Sequence, residues 1–386
     1  MIERALINRL LPRVDYKKAI ILFGARQAGK TTLVRQLVRN IGEEAVFFNG
    51  DELTTRNIWT SRQIELLKQS IAGKKLVILD EAQRVPEVGL ICKQLIDAGL
   101  GLQLILTGSS TLDIADITQE PLTGRKWEYS LYPVSFGELV QHEGLPGAIG
   151  KLPLYLIYGT YPEVVTNPGD AQELLSNLTS SYLYKDILAL SGLKKPMLLE
   201  KILTALAWQV GSEVSLNELS RLVGADVKTV DQYIYLLEQV FVVYRLGAYS
   251  RNLRNEINTK KKIYFYDNGV RNALIGNYSS ADVRTDIGPL WENYLISERR
   301  KLLAYNEFHG STYFWRNTRQ AEVDYIEEID GKLYAYEFKW NPGAKARFPA
   351  PFIEAYQPEA AEVIHQDNFW QWLSRYPYPS TSPPTP

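Results

Sequence analysis

The chain has 386 residues, of which 45% are hydrophobic and 23% charged, with a formal net charge of -1. That length supports two or three domains with cores of their own. The near-neutral balance excludes a wholly basic nucleic-acid coat protein but leaves room for a local basic patch. A single cysteine, Cys92, excludes an internal disulfide framework and a cysteine-based zinc site. It reads as a small apolar core residue within 88–98 and suits a reducing cytoplasm. The sequence lacks a run of about 18 apolar residues that would span a membrane, and its opening Met-Ile-Glu-Arg has no signal-peptide core. A cytoplasmic protein with no membrane partner is expected.

In chain order, 2–11 predicts a short amphipathic helix leading into a buried strand over 18–23. The loop that follows runs Gly24, Ala25, Arg26, Gln27, Ala28, Gly29, Lys30, Thr31 and Thr32. Gly24, four residues, then Gly29-Lys30-Thr31 is the phosphate-cradling pattern, and apolar Leu33, Leu37 and Val38 predict a helix directly behind it. Backbone N–H groups and the helix N-terminus attract phosphate oxygens. Lys30 would reach the β- and γ-phosphates of ATP, and the Thr31 hydroxyl would sit on Mg²⁺.

Strands over 45–49 and 75–79 flank a helix over 61–72. The second of these strands runs into Asp80-Glu81. Asp80 is placed to hold the Mg²⁺ shell, and Glu81 to orient and deprotonate the attacking water. A further strand over 102–106 ends at Thr107, which either points at the γ-phosphate or water, or merely opens a turn. Arg125, just before a strand over 127–132, reads as a charge-neutralising arginine for a neighbouring subunit's γ-phosphate or as a salt-bridged surface residue. Alternating strands and helices predict a parallel sheet covered on both faces, with nucleotide at the C-terminal strand ends. From 133 to 187 the pattern turns helical, which suits a small lid.

The phosphate loop, Leu79-Asp80-Glu81-Ala82-Gln83-Arg84, Leu106-Thr107-Gly108-Ser109-Ser110, Gly124-Arg125, Pro133-Val134-Ser135-Phe136 and Gly159-x-x-Pro162-Glu163 together resemble an AAA-type ATPase family of bacteria and archaea. Members of that family carry a C-terminal domain long described as of unknown function. The resemblance covers nearly the whole chain. It implies an ATPase core (1–135), a helical lid (136–195), a winged helix (196–275) and a restriction-endonuclease-like α/β domain (285–375); 376–386, rich in Pro, Ser and Thr, reads as a disordered tail. A homo-oligomeric ring, such as a hexamer, is expected.

In the middle segment, 196–211 predicts a helix, and Ser215 with Glu218 opens the next as a capping box. A third helix runs over 226–240 after Gly224, which gives a helix-turn-helix pattern. Strands over 242–249 and 262–266 would form a wing. Lys228 on the last helix and Arg251, Arg254, Lys260, Lys261 and Lys262 in and beside the wing loop are candidate DNA-phosphate contacts; a protein-contact module with a solvated basic loop is the other reading.

At the C-terminal end, strands over 321–329 and 332–340 flank the turn Asp330-Gly331. With a two-residue loop, Asp324 faces Glu337 and Glu322 faces Lys339, so these four share one face while Tyr336 and Phe338 point to the other. Two facing acids repel unless a cation lies between them. A second Mg²⁺ held by Asp324 and Glu337, with Lys339 beside it, would relieve this and activate water against a phosphodiester. Asp324, Glu337 and Lys339 resemble the restriction-endonuclease-like signature, and Glu292, on a helix over 289–303, matches the acid often supplied upstream. Val323 stands where a proline often precedes the first acid. The alternatives are acids and lysines paired on an exposed sheet face, or a nuclease fold that binds without cutting. The leading function is an ATP-hydrolysing enzyme acting on DNA. The alternatives are a nucleotide-dependent switch in a signalling or defence assembly, and an ATPase whose C-terminal domain is only a scaffold.

Overall fold

The computed structural model describes residues 2–60, 63–110, 122–183, 195–250 and 261–376. The expected segments 184–187, 251–260 and 377–386 lie outside the described residues. The chain divides into two compact units. The first is built from 1–134 with two short later segments, the second from 135–181, 195–238 and 242–386.

In the first unit α1 (Ile7–Leu10) precedes β1 (Ala19–Gly24), α2 (Lys30–Ile41), β2 (Ala45–Asn49), α3 (Leu53–Ile58), α4 (Ile64–Ser70), β3 (Leu76–Asp80), α5 (Val88–Asp97), β4 (Gln103–Gly108) and β5 (Lys126–Leu131). The strands form a five-stranded sheet in the order β2-β3-β4-β1-β5, and every pairing is parallel. β1 and β4 are buried along their whole length, which explains their unbroken apolar runs: helices cover both faces of a parallel sheet. The apolar stripe of α2, Leu33, Val34 and Leu37, is buried, as a 3.6-residue period requires. Cys92 is buried within α5, and burial pushes its thiol up to about 12, so it is a packing residue.

The second unit opens with α6 (Phe136–Glu143), α7 (Leu145–Gly150), α8 (Leu152–Tyr158), α9 (Pro162–Thr166) and α10 (Ala171–Asn177). Ser135 and Glu138 close a reciprocal capping box on α6, which satisfies two otherwise unpaired N–H donors. Then follow α11 (Pro196–Trp208), β6 (Glu213–Val214), α12 (Leu216–Val223), α13 (Val227–Gln239), β7 (Val243–Ala248), β8 (Lys261–Phe265) and α14 (Asn268–Leu274). The last elements are α15 (Ile287–Tyr305), β9 (Ser311–Arg316), β10 (Glu322–Ile329), β11 (Lys332–Phe338), α16 (Ala350–Tyr356), β12 (Ala360–Ile364) and α17 (Phe369–Ser374).

Seven strands form one mixed sheet ordered β12-β11-β10-β9-β7-β8-β6. The hairpin β7–β8, expected as the two strands of a wing, adds to the C-terminal strands: β7 pairs with β9 in parallel, Gly247 beside Tyr313 and Ala248 beside Phe314. On one side Tyr325, Tyr336 and Phe338 pack around Trp372 of α17. A second cluster joins Trp315, Val323, Ile326, Leu333 and Ala335 to Phe352 of α16. Arg299 of α15 pairs with Glu327 at 2.8 and 3.0 Å, and both are fully buried. The two-pronged geometry and the bond from Arg299 to the Trp372 carbonyl meet the condition under which buried charges are tolerated.

The motif Gly159-x-x-Pro162 has a structural explanation. The Asp267 carboxylate accepts N–H groups from Thr160 (2.7 Å) and Val270 (3.1 Å), capping α14 while gripping the turn after α8. A Cβ at Gly159 would overlap that carboxylate, and one at Gly269 the Tyr158 carbonyl. Lys301 of α15 reaches Thr160 Oγ1 (3.1 Å) and Glu298 (2.6 Å), and Glu298 accepts the Phe136 N–H (2.6 Å). The helices expected as a lid are thus bound into the second unit by buried polar contacts. Gly159 also has a left-handed φ of 71°. Gly159→Ala is therefore expected to destabilise this unit by at least about 2 kcal/mol. A thermal melt should show a clear fall in midpoint, and an unchanged melt would refute the interlock.

Candidate nucleotide site and acidic cluster

Residues 24–32 join β1 to α2. A Cβ at Gly24 would overlap the Leu131 carbonyl, so only glycine lets the loop leave the sheet beside β5. Gly29 caps α2 with a left-handed φ of 95°, a conformation open to glycine. Ala25 and Ala28 are buried, and Arg26, Gln27 and Thr32 are exposed. Lys30 is buried and its Nζ donates to the carbonyls of Gly24 (2.8 Å) and Ala25 (3.1 Å).

Three strand ends converge beside the loop. Thr31 Oγ1 donates to Asp80 Oδ2 at 2.7 Å, and Thr107 Oγ1 donates to Asp80 Oδ1. The same Thr107 hydroxyl accepts the Glu81 N–H at 3.3 Å. Thr107 is therefore wedged between the two acids, with its side chain fully buried. Glu81 turns through a left-handed φ of 50°, and its carbonyl packs so closely on Gly50 that a Cβ there would overlap it. Burial raises the Glu81 carboxyl above its ordinary range, with Lys30 opposing. Gln83 Nε2 donates to Glu81 Oε2 at 2.6 Å and to Ser109 Oγ at 3.3 Å. Sequence reasoning missed Gln83 and Ser109 as partners of the acid, because neither has a local pattern that reveals which side chain it meets.

Arg125 lies at the other end of the sheet. Its carbonyl accepts the N–H of Ala19, the first residue of β1, and its guanidinium pairs with Asp97 at 2.9 Å. Gly24 is five residues further along, roughly 17 Å at the strand rise. Arg125 is therefore remote from the phosphate loop of its own chain.

In the second unit, β10 and β11 pair with Ile329 beside Lys332 and Tyr325 beside Tyr336, and just beyond that ladder the carboxyls of Asp324 and Glu337 come close enough to interact. Asp324 Oδ2 accepts the Phe338 N–H at 2.8 Å. Lys339 Nζ lies 3.0 Å from Glu337 Oε2 and 3.9 Å from Asp324 Oδ2. Burial, then the charge of Glu337, pushes Asp324 up to about 6. Burial also raises Glu337, against the pull of Lys339. Burial works against the charge of Lys339, but Asp324 and Glu337 outweigh it and hold the ammonium protonated.

Two expectations are corrected. Lys262 is not an exposed phosphate contact: it is 1% exposed, lies 2.9 Å from Glu292 and pairs with Glu322. The reason is that β8 lies inside the sheet, between β7 and β6. Glu322 does not pair with Lys339, because the β10–β11 ladder ends at Tyr325 beside Tyr336 and β11 stops at Phe338; Glu322 meets Lys262 and Arg316 instead. Lys228 and Lys261 are exposed, whereas Arg251, Arg254 and Lys260 lie outside the described residues. Glu292 is drawn into the cluster, but Lys262 and the Tyr264 hydroxyl (2.6 Å) occupy it. Burial pushes Glu292 up to about 7. Among the described residues no three His, Cys, Asp or Glu side chains converge to hold a metal ion. Nor is any described helix long and apolar enough to cross a membrane.

Residues 16–140 match the family profile of an AAA domain, while 149–281 and 287–378 match two profiles described as domains of unknown function. An uncharacterized protein of Mycobacterium tuberculosis is 26% identical over 348 residues, covering 88% of this chain and 74% of that protein. One of Haemophilus influenzae is 25% identical over 290 residues, covering 70% and 72%. A Walker-type ATPase of Pyrococcus abyssi has a similar fold, with a TM-score of 0.50 and 16% identity over 71% of this chain and 96% of that one. Residues 16–140 thus resemble an AAA domain, and the α/β core on a parallel sheet is a fold shared with a Walker-type ATPase.

Burial pushes the Glu292 carboxyl up to about 7 from its ordinary 4.5. The stability it contributes is therefore present at low pH and lost as pH rises through that value. Glu292→Gln keeps the shape and removes the titration. Its stability relative to the unsubstituted protein should improve by on the order of 2 to 3 kcal/mol between about pH 5 and about pH 8. Denaturant melts of both proteins at the two pH values check this, and a gap independent of pH would refute it.

Proposed function

We propose that the chain binds Mg–ATP on the loop Gly24–Thr32 and hydrolyses its terminal phosphate bond. One observation carries this reading: the phosphate-loop hydroxyl of Thr31 and the strand-end carboxylate of Asp80 already touch, and Thr107 holds the carboxylate's other oxygen. An oxygen-only pair at the mouth of an anion-binding loop suits Mg²⁺, which favours oxygen ligands and substrate phosphates. When bound, the cation would neutralise charge on the phosphates. Lys30 leaves the Gly24 and Ala25 carbonyls for phosphate oxygens, which are stronger acceptors because they are charged. Glu81, its basicity raised by burial, orients the attacking water and accepts its proton. Thr107 fixes the spacing of Asp80 and Glu81.

Arg125 has a part in this chemistry only through a neighbouring copy, since it sits at the far end of its own sheet. A homo-oligomer with Arg125 directed at the adjacent site is the arrangement we propose. Lys30→Ala should abolish nucleotide binding. Glu81→Gln should bind ATP normally and turn it over about 10²- to 10⁴-fold more slowly. Titration with a fluorescent ATP analogue and a phosphate-release assay read these two outcomes, and undiminished turnover in either variant would overturn the assignment. Mixing Arg125→Ala with Lys30→Ala subunits should restore turnover at interfaces that pair an intact arginine with an intact loop; no recovery at any ratio would refute action in trans.

A second reading concerns DNA, and the forced meeting of Asp324 and Glu337 beside Lys339 favours it. Two facing carboxylates suit a divalent cation, and a lysine at their edge suits a phosphodiester. Glu292 stands outside this set because Lys262 and Tyr264 hold it. On this reading the C-terminal strands bind or cut nucleic acid and ATP turnover moves or clamps it. DNA should then stimulate ATP hydrolysis, and Mg²⁺- or Mn²⁺-dependent nicking should vanish in the Asp324→Ala, Lys339→Ala double variant while ATPase activity persists. Turnover indifferent to DNA, with no cutting, would instead favour a nucleotide-dependent switch in a protein assembly.

A further inference from the structure

The N-terminal segment carries a residue that neither the ATP-binding pattern nor the strand-end acids include. Arg4 is 3% exposed. One guanidinium nitrogen donates to the carbonyl of Ala28, inside the phosphate loop, and the other to the carbonyl of Tyr132, just beyond β5, both at 2.6 Å. We propose that Arg4 is a positioning residue for nucleotide phosphate. It holds the outer rim of the loop so that the amide at its centre faces the ligand. The inference rests on the nucleotide-binding reading above.

In a planar trans peptide the C=O and the following N–H point in opposite directions. With the Ala28 carbonyl tied outward to Arg4, the Gly29 N–H is turned to the opposite side of the loop. The left-handed Gly29 that caps α2 is the kind of backbone turn that gathers N–H groups into an anion-binding concavity. The second prong supplies the anchor. Tyr132 follows β5, which pairs with β1 up to Leu131 beside Gly24. The loop is thus fixed at one end by the close packing of Gly24 on Leu131 and near the other by Arg4 on Tyr132.

Only arginine has two donors splayed in a rigid fork; a lysine ammonium on its single flexible stem does not reproduce that geometry. The segment carrying Arg4 is itself held in place. Ile2, Leu6, Ile7 and Leu10 are buried, and the Arg9 and Arg13 guanidinium groups lie over Tyr129 and Trp127 of β5.

The test compares Arg4→Ala and Arg4→Lys with the unsubstituted full-length chain, measuring dissociation constants for Mg–ATP, Mg–ADP and adenosine, and melting without nucleotide. Arg4→Ala should weaken ATP and ADP by about tenfold, the worth of one charge-assisted hydrogen bond, with adenosine unchanged. Arg4→Lys should fall between the two and is the variant to read if Arg4→Ala does not fold. Equal ATP and ADP affinity in a folded variant, or an equal loss for adenosine, would overturn the proposal. The first result would leave Arg4 a packing residue, the second a general support of the fold. If the unsubstituted chain binds no nucleotide, the ATP reading itself fails, which is a separate result from loss of the Arg4 effect.

Discussion

Asp80 is the point on which the first unit turns. Its two carboxylate oxygens take hydroxyl hydrogen bonds from Thr31 on the phosphate loop and Thr107 on β4, so three segments far apart in sequence meet at one side chain. The parallel sheet makes this possible. With β3, β4 and β1 adjacent and running the same way, their C-terminal ends open on one edge, and whatever polar residue ends each strand faces the others. An antiparallel arrangement would have sent one of these ends to the opposite edge. Glu81, placed one residue beyond Asp80 by a left-handed turn, inherits its position from the same convergence.

The second unit solves a different problem, that of keeping charge inside a sheet. Lys262 lies between Glu292 and Glu322, and Lys339 lies beside Glu337 and Asp324, so each buried acid has a lysine within reach, and Arg299 with Glu327 repeats the device on α15. Buried ion pairs seldom add much to stability over apolar packing, but removing one partner is costly. They therefore make the register of β8, β10 and α15 specific. The raised Asp324 and Glu292 carboxyls show the compensation is incomplete. A carboxyl that gains little from ionising where it sits is suited to binding a proton or a cation.

Much of the candidate nucleotide site was legible in order along the chain, because its proposed phosphate loop is a local object: a glycine turn between a strand and a helix. Asp80-Glu81 could be paired with that loop because both end buried strands. The Asp330-Gly331 turn similarly sets the register that brings Asp324 toward Glu337, since a two-residue hairpin leaves no freedom in the count. The reading of Lys262 failed for a physical reason. Lysine beside a basic loop is a solvent-facing residue in most contexts, and nothing in 260–262 announces that β6, some fifty residues earlier, will pair along the far side of β8 and enclose it within the sheet. The Glu322–Lys339 pair failed because the β10–β11 ladder ends at Tyr325 beside Tyr336, and a count from the turn does not show where pairing stops.

The sequence by itself determined what depends on short-range geometry: the phosphate loop, the strand-end acids, the hairpin and the parallel character of the first sheet, each set by spacing within a few residues or by strand–helix alternation. The tertiary structure alone decided which distant side chains meet. Arg4 reaches Ala28 and Tyr132, Gln83 holds Glu81, and Asp267 closes on Gly159 only after the chain has folded, because hydrogen bonds between residues 24 to 128 positions apart, or between side chains aimed by a left-handed turn, leave no period in the sequence.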